Sequence, residues 1–174
     1  MQTDRLSIRP WCHDEAERLF DIRRREEVAK WLGSPEPWAD LQRARDAIVQ
    51  WEGMRGSDDP FGQWAIVPHG KEPVGSVLLR PTPDNTEIEI GWYLHPDSTG
   101  AGWASEAASV VLEHGLGVGI ERIWAIMWPH NVASARVALA IGMTDLGVRD
   151  DPWYGSGEEP TSRMFCAGPG VGSL

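Results

Sequence analysis

Residues 93–113 read YLHPDSTGAGWASEAASVVLE, and the fold turns on how this stretch is parsed. Just upstream, Glu87-Ile88-Glu89-Ile90-Gly91-Trp92-Tyr93-Leu94 opens with the alternation of a strand. His95-Pro96 ends that strand, because proline has no N–H to carry a ladder further. A loop holding Gly100-Ala101-Gly102 follows. Ala104, Ala108, Val111, Leu112 and Gly115 then share one face of a 3.6-residue period, which predicts a helix. Strand, glycine loop and helix N-terminus together leave backbone N–H groups aimed at one spot. The helix dipole adds roughly half a positive charge there, so the spot suits a phosphate or pyrophosphate. Glycines let such a group approach where a Cβ would block it. A solvent-capped strand-to-helix turn satisfies the same pattern. A Walker loop is excluded because Gly102 is followed by Trp103 rather than lysine. A dinucleotide fingerprint fails because Ser105 stands where the third small residue packs the helix.

The length of 174 residues suits one domain with a real core, here expected over residues 1–168, with a loose glycine-rich tail over 169–174. A net charge of -10 argues against nucleic-acid partners and anionic membranes and mildly favours cationic ones such as amines, although a solubility role explains it as well. Ten tryptophans against two tyrosines and three phenylalanines is an unusual balance for which the sequence offers no reason. Two distant cysteines, Cys12 and Cys166, imply no disulfide framework. The N-terminus has no apolar signal core, and no stretch reaches the roughly 18 apolar residues of a membrane span. The cytoplasm is the expected location.

Outward from the loop, Leu6 and Ile8 mark a first strand, and a helix begins near Asp14 with Ala16, Leu19 and Phe20 inward. Arg23-Arg24-Arg25 with Glu26-Glu27 reads as a solvated face. Leu41, Ala44, Ile48 and Trp51 define a second helix ending near Gly53, before a turn at residues 56–60. Strands are expected at 63–68 and 74–80, joined by a Gly70-Lys71 turn. After the central helix come a strand at 122–128, an Asn131-capped helix at 132–141 closed by Gly142, and strands at 144–148 and 161–167. This order predicts an α+β fold. Its mixed, mostly antiparallel sheet has about seven strands. The strands ending at Leu94 and Trp128 should be parallel neighbours across a right-handed crossover.

These residues resemble a known family. His95-Pro-Asp-x-x-Gly-x-Gly-x-Ala-Ser-Glu-Ala107 is similar to the acyl-coenzyme A loop of the GNAT superfamily of N-acetyltransferases. Pro129-x-Asn131-Val-Ala-Ser134-x-Arg136-Val with Ile141-Gly142-Met143, and Arg5-Leu-x-Ile-Arg-Pro10, resemble the branch that acetylates N-terminal alanines of ribosomal proteins. The resemblance implies helices on both faces of the sheet and a splay between its central fourth and fifth strands. It implies that backbone amides of Thr99, Gly100, Ala101, Gly102 and Trp103 hold the pyrophosphate of acetyl-coenzyme A. The pantetheine arm would borrow main-chain hydrogen bonds from Trp92, Tyr93 and Leu94 as an added strand. An N–H near Leu94 would polarise the thioester carbonyl. Thr99 and Ala101 replace an aromatic and a basic residue common in the family, which predicts weaker cofactor binding for want of a nearby cation. The general-acid tyrosine of other branches falls at Ala138.

The resemblance makes Glu89 the candidate base, since the matching glutamate faces the acceptor cavity. Read from the residues alone, Glu87 and Glu89 share one face of a central strand, where a carboxylate must be paired, solvated or used. An ion pair with an arginine on a neighbouring strand is the competing account. Ser134 is the candidate proton donor to the thiolate, or simply part of a helix cap. Asn131 caps the helix and can also bond the pantetheine arm, and Arg136 either reaches for the 3′-phosphate or is a plain surface arginine. Glu87, Asp151, Tyr154 and Trp38 are candidates for the acceptor side; a plain solvated turn is the other account of Asp151 and Tyr154, and simple core that of Trp38. No metal is expected, because His13, His69, His95, His114 and His130 show no ligand spacing. Neither cysteine sits in a nucleophile motif. The reading is an acetyl-coenzyme A-dependent N-acetyltransferase acting on a primary amine, protein N-terminus or small molecule, by direct attack in a ternary complex. A longer acyl-coenzyme A, or a non-catalytic sensor of that cofactor, are the alternatives. A homodimer is left open.

Overall fold

A computed structural model describes residues 1–33, 35–53, 60–155 and 161–171. Residues 56–59 of the expected turn and residues 172–174 of the tail lie outside these. The strands are β1 (Leu6–Pro10), β2 (Gly62–Pro68), β3 (Gly75–Pro81), β4 (Ile88–Leu94), β5 (Ile123–Met127), β6 (Thr144–Asp150) and β7 (Thr161–Ala167). The helices are α1 (Ala16–Arg23), α2 (Glu26–Ala29), α3 (Leu41–Gly53), α4 (Trp103–Gly117) and α5 (Val132–Ala140). Seven strands form one sheet in the order β1-β2-β3-β4-β5-β7-β6. Every neighbouring pair is antiparallel except β4 and β5. The mixed sheet and its single parallel pair are those expected from the sequence.

Two apolar layers sandwich the sheet. Alternation along β4 sends Ile90 to a core with α4 and α5, which includes Val77, Ala107, Ala108, Val111, Ala135 and Phe165. Tyr93 faces the other way, into a core with Leu19, Ile22, Trp38, Ala44 and Ile48 from the α1–α3 side. The stripe on α4 is small for a reason. A Cβ on Gly115 would lie 2.6 Å from Ile123 Cδ1, so any side chain there would push the Ile123 and Leu79 side chains aside. At α5 the Asn131 side chain accepts the Ser134 N–H at 3.1 Å. At its other end Gly142 takes φ 84°, and the Met143 N–H bonds the Ala138 carbonyl.

Three expectations change. β4 starts at Ile88 rather than Glu87, because the Glu87 backbone closes a turn onto Thr82 through both its N–H and its carbonyl. Val171, within the stretch expected to be loose, is buried against Trp124, Met164 and Cys166. The arginine run is not uniformly solvated: Arg24 is exposed, Arg25 bonds Asp21 at 2.7 Å, and Arg23 lies across the Trp38 and Tyr93 rings. Helix geometry puts Arg23 and Asp21 on different sides of α1, so one arginine turns to the core layer while its neighbours gather on the carboxylate.

Candidate active site

The parallel ladder between β4 and β5 is short. Its register is Ile88↔Ile123 and Glu89↔Trp124, and no pairing continues beyond. The strands therefore diverge toward Leu94, and main-chain groups of β4 that face β5 there have no strand partner among the described residues. Directly past the opening lies the glycine loop. Gly100 and Gly102 hold φ of 84° and 81°, the left-handed region that favours glycine. Gly102 is the N-cap of the 15-residue helix α4. Around Gly100 nothing lies within 4 Å of where a Cβ would sit, so the loop borders open space. Thr99, Gly100, Ala101 and Gly102 are exposed and Trp103 half-buried. This cradle fits a pyrophosphate, and the splay fits an extended arm lying beside β4.

The expected lack of a cation at the loop is corrected by the fold. Arg5, at the head of β1, places its guanidinium carbon 4.7 Å from the centroid of the Trp103 ring, and its Nη1 donates to the Ala101 carbonyl at 3.4 Å. Glu106 in the first turn of α4 pairs with that guanidinium and also accepts the Thr3 hydroxyl. Burial pushes the Glu106 carboxyl up, but the Thr3 and Arg5 bonds outweigh it and hold it below the ordinary range. β1 is thereby tied to the start of α4, across about a hundred residues of chain that no sequence motif spans.

Glu89 is buried at 7% exposure, on the sheet face away from α4. Its Oε1 accepts the Arg80 Nε–H at 2.5 Å and the Tyr154 hydroxyl at 2.6 Å. Arg80 is its cross-strand partner in β3, so the competing ion-pair account is realised in the geometry. A catalytic use is compatible with it, because both donors meet at Oε1. Burial works against the Arg80 charge, but Glu89 more than offsets it and raises the guanidinium above its ordinary value. Burial, then the bond to Glu89, pushes the Tyr154 phenol well above its ordinary 10.0, so it stays a donor. Tyr154 is held in place by two neighbours. Asp151 Oδ1 accepts the N–H groups of Trp153 and Tyr154 at 2.9 and 3.0 Å, and the Trp153 ring packs at a tilt of 59° against Trp124, its centroid 5.6 Å away. Gly33 lies against the Tyr154 ring, where a Cβ would sit 3.8 Å from Cδ1.

The remaining sequence candidates separate. Asn131 is buried and Ser134 half-buried at the head of α5. The cap uses the Ser134 backbone, and among the described residues its hydroxyl has no hydrogen-bond partner, which leaves it free for chemistry. Arg136 is exposed and, among the described residues, unpaired. Glu87 is drawn to the closed end of the splay by its ion pair with Arg122. Asp151 is buried and builds the loop. Trp38 is core that presents one ring face to Arg23. Trp92 points to the α4 side with its indole Nε1 buried and unpartnered, whereas the Tyr93 hydroxyl accepts from Gln63 at 2.9 Å. Sequence reading did not single out Arg5 or Arg80 and left Arg23 to solvent. Only cross-strand register could have pointed to Arg80, and nothing local to the other two. Among the described residues no group of three or more His, Cys, Asp or Glu could hold a metal ion, and no helix is long and apolar enough to cross a membrane.

Residues 5–144 match the family described as acetyltransferase (GNAT) domain. The uncharacterized N-acetyltransferase YnaD of Bacillus subtilis is 45% identical over 142 residues, covering 81% of this chain and 80% of that protein. The crystal structure of a GNAT-family acetyltransferase from Bacillus anthracis shares the fold with a TM-score of 0.80 at 23% identity, covering 96% of both chains. RimL, a ribosomal L7/L12 alpha-N-protein acetyltransferase solved in complex with coenzyme A, gives a TM-score of 0.78 at 18% identity, over 95% of this chain and 94% of its own.

Proposed function

This chain belongs to the GNAT acetyltransferase family, and we propose from that membership that it moves an acetyl group from acetyl-coenzyme A to a primary amine within a ternary complex. One observation carries the reading. The β4–β5 ladder stops at Glu89 and Trp124, and the splay that opens there leads to the glycine loop at the head of α4. In this reading residues 1–168 act as one unit. The loop amides from Thr99 to Trp103 hold the pyrophosphate, with the Arg5 guanidinium beside them and Arg136 toward the 3′-phosphate. Main-chain groups of Trp92, Tyr93 and Leu94 hold the pantetheine arm, and a backbone N–H at Leu94 polarises the thioester carbonyl.

The acceptor enters from the opposite face, between Tyr154 and the α1–α3 layer. Its neutral amine attacks the thioester carbon, a C–N bond forms and the C–S bond breaks. Glu89 takes the proton the amine must lose, directly or through a water, while Arg80 and Tyr154 keep its carboxylate aimed. Ser134, with its unengaged hydroxyl near the splay, supplies a proton to the departing thiolate. Thiol release from acetyl-coenzyme A over an amine panel, with calorimetry of cofactor binding, tests the proposal. Wild type should bind and turn over, and Gly100→Val should bind at least tenfold more weakly while staying folded. Equal affinity in a folded Gly100→Val variant would remove the phosphate cradle, and binding without turnover on any amine would favour a sensor.

A further inference from the structure

Arg23, the last residue of α1, is a cation without a carboxylate among the described residues. Its guanidinium carbon lies 4.5 Å from the centroid of the Trp38 ring and 5.3 Å from that of Tyr93. Its Nε is buried with no hydrogen-bond partner. Among the described residues it forms no ion pair, whereas Arg18, Arg24 and Arg25 all gather on Asp21. Unlike the exposed and unpaired Arg136, Arg23 is half-buried and lies against two aromatic rings. A desolvated N–H with no acceptor is costly, and the aromatic rings satisfy the charge of the guanidinium but not its in-plane donors. Those donors suit a planar anion taken edge-on.

The location gives that anion a purpose. Tyr93 lies on the same face of β4 as Glu89, four residues further on and so roughly 13 Å along the strand. Between them Gly91 offers no side chain, and only the half-exposed Leu78 stands beside it. This face of β4 thus carries the Glu89 carboxylate toward one end and the Arg23 guanidinium at the other, with the Leu78 side chain over Gly91 between them. We propose that the acceptor is zwitterionic, a small amino acid or short peptide whose amine lies toward Glu89 and whose free carboxylate is taken by Arg23. The proposal rests on the acetyl-transfer reading above and narrows its acceptor class. The acidic field of the whole protein attracts amines of any kind, so a preference for the negatively tagged amine isolates the contribution of Arg23.

The test compares acids with their amides: glycine, γ-aminobutyrate and triglycine against glycinamide, 4-aminobutanamide and triglycinamide. For at least one pair kcat/KM should favour the acid tenfold or more in wild type, fall to near parity in Arg23→Met, and be partly restored in Arg23→Lys. Parity across all pairs in wild type overturns the proposal and leaves Arg23 as packing, and this holds even where Arg23→Met fails to fold. A second readout does not need turnover. With coenzyme A present, the ¹⁵N-labelled arginine Nε–H signal assigned to Arg23 should shift on titration with an acid and not with its amide; silence overturns the proposal. Failure to turn over any amine while that signal responds would instead fault the acetyl-transfer reading and leave the anion site standing.

Discussion

Glu89→Gln separates the two roles that the geometry allows. The variant keeps an oxygen for the Arg80 and Tyr154 donors, which now meet Oε1 at 2.5 and 2.6 Å, but it loses the charge and the ability to accept a proton. Breaking a fully buried ion pair costs roughly 3–5 kcal/mol, and an exposed pair is worth about 0.2–1 kcal/mol. Here the Glu89 side chain is 9% exposed and Arg80 47%, so Arg80 can turn to water. A loss of about 1–2 kcal/mol follows, or about 2–8 °C in Tm for a chain of this size. A general base is worth roughly 10²–10⁴ in kcat, a barrier change of about 3–5 kcal/mol. The kinetic effect therefore exceeds the structural one, and kcat measured on folded variant decides. Thiol release should be followed from neutral pH toward the amine's own pKa, near 10.4 for an alkyl amine, with scanning calorimetry alongside. The defect should shrink at high pH, where the amine sheds its proton unaided, while cofactor affinity stays level. A Tm drop with kcat within about threefold of wild type and a pH–rate profile of unchanged shape would falsify the base assignment. Glu89 would then be an ion-pair partner and nothing more.

Ser134→Ala should lower kcat and leave Tm unchanged, because the cap uses the Ser134 backbone N–H rather than its hydroxyl; Asn131→Ala should cost about 1 kcal/mol of stability. Equal turnover in Ser134→Ala would strip the hydroxyl of its chemical role. Because Glu106 sits below its ordinary 4.5, its bonds to Thr3 and Arg5 contribute stability that is full above that value and lost as pH falls through the depressed one. Urea titrations from pH 7 into acid should show this loss, and Glu106→Gln should be less stable at neutral pH with a flatter acid limb; a parallel acid limb in the variant would count against the clamp. Burial pushes the Cys166 thiol up to about 11, and Cys12 is the exposed one. A thiol reagent at neutral pH should therefore label one cysteine in the native protein and two in denaturant, and rapid labelling of both in native protein would contradict the burial of Cys166.

Local pattern carried much of this molecule. The strand before His95, the glycine loop, the small-residue face of α4 and the Asn131 cap are written within a few residues of each other. Each depends on a period or a backbone requirement that neighbours alone impose. The parallel pairing of β4 and β5 followed too, because a helix between two strands leaves them little other choice. The family resemblance rested on the same short-range motifs, and the match over residues 5–144 agrees with it.

What only the tertiary structure decided are partners far apart in the chain. Arg80 reaches Glu89 because the turn at Thr82 sets a register that places them opposite each other. Tyr154 reaches the same carboxylate from a loop 65 residues away, and Arg5 comes to the glycine loop from 96 residues away. Arg23 looked like one member of a solvated basic run until the packing of Trp38 and Tyr93 turned it inward. The physical reason is common to all four. Periodicity tells which side of an element a residue faces, but charge partners are chosen by register, crossover and loop docking. Those are properties of the whole sheet and its two layers, so the backbone cradle was legible in the sequence and the side-chain electrostatics around it were not.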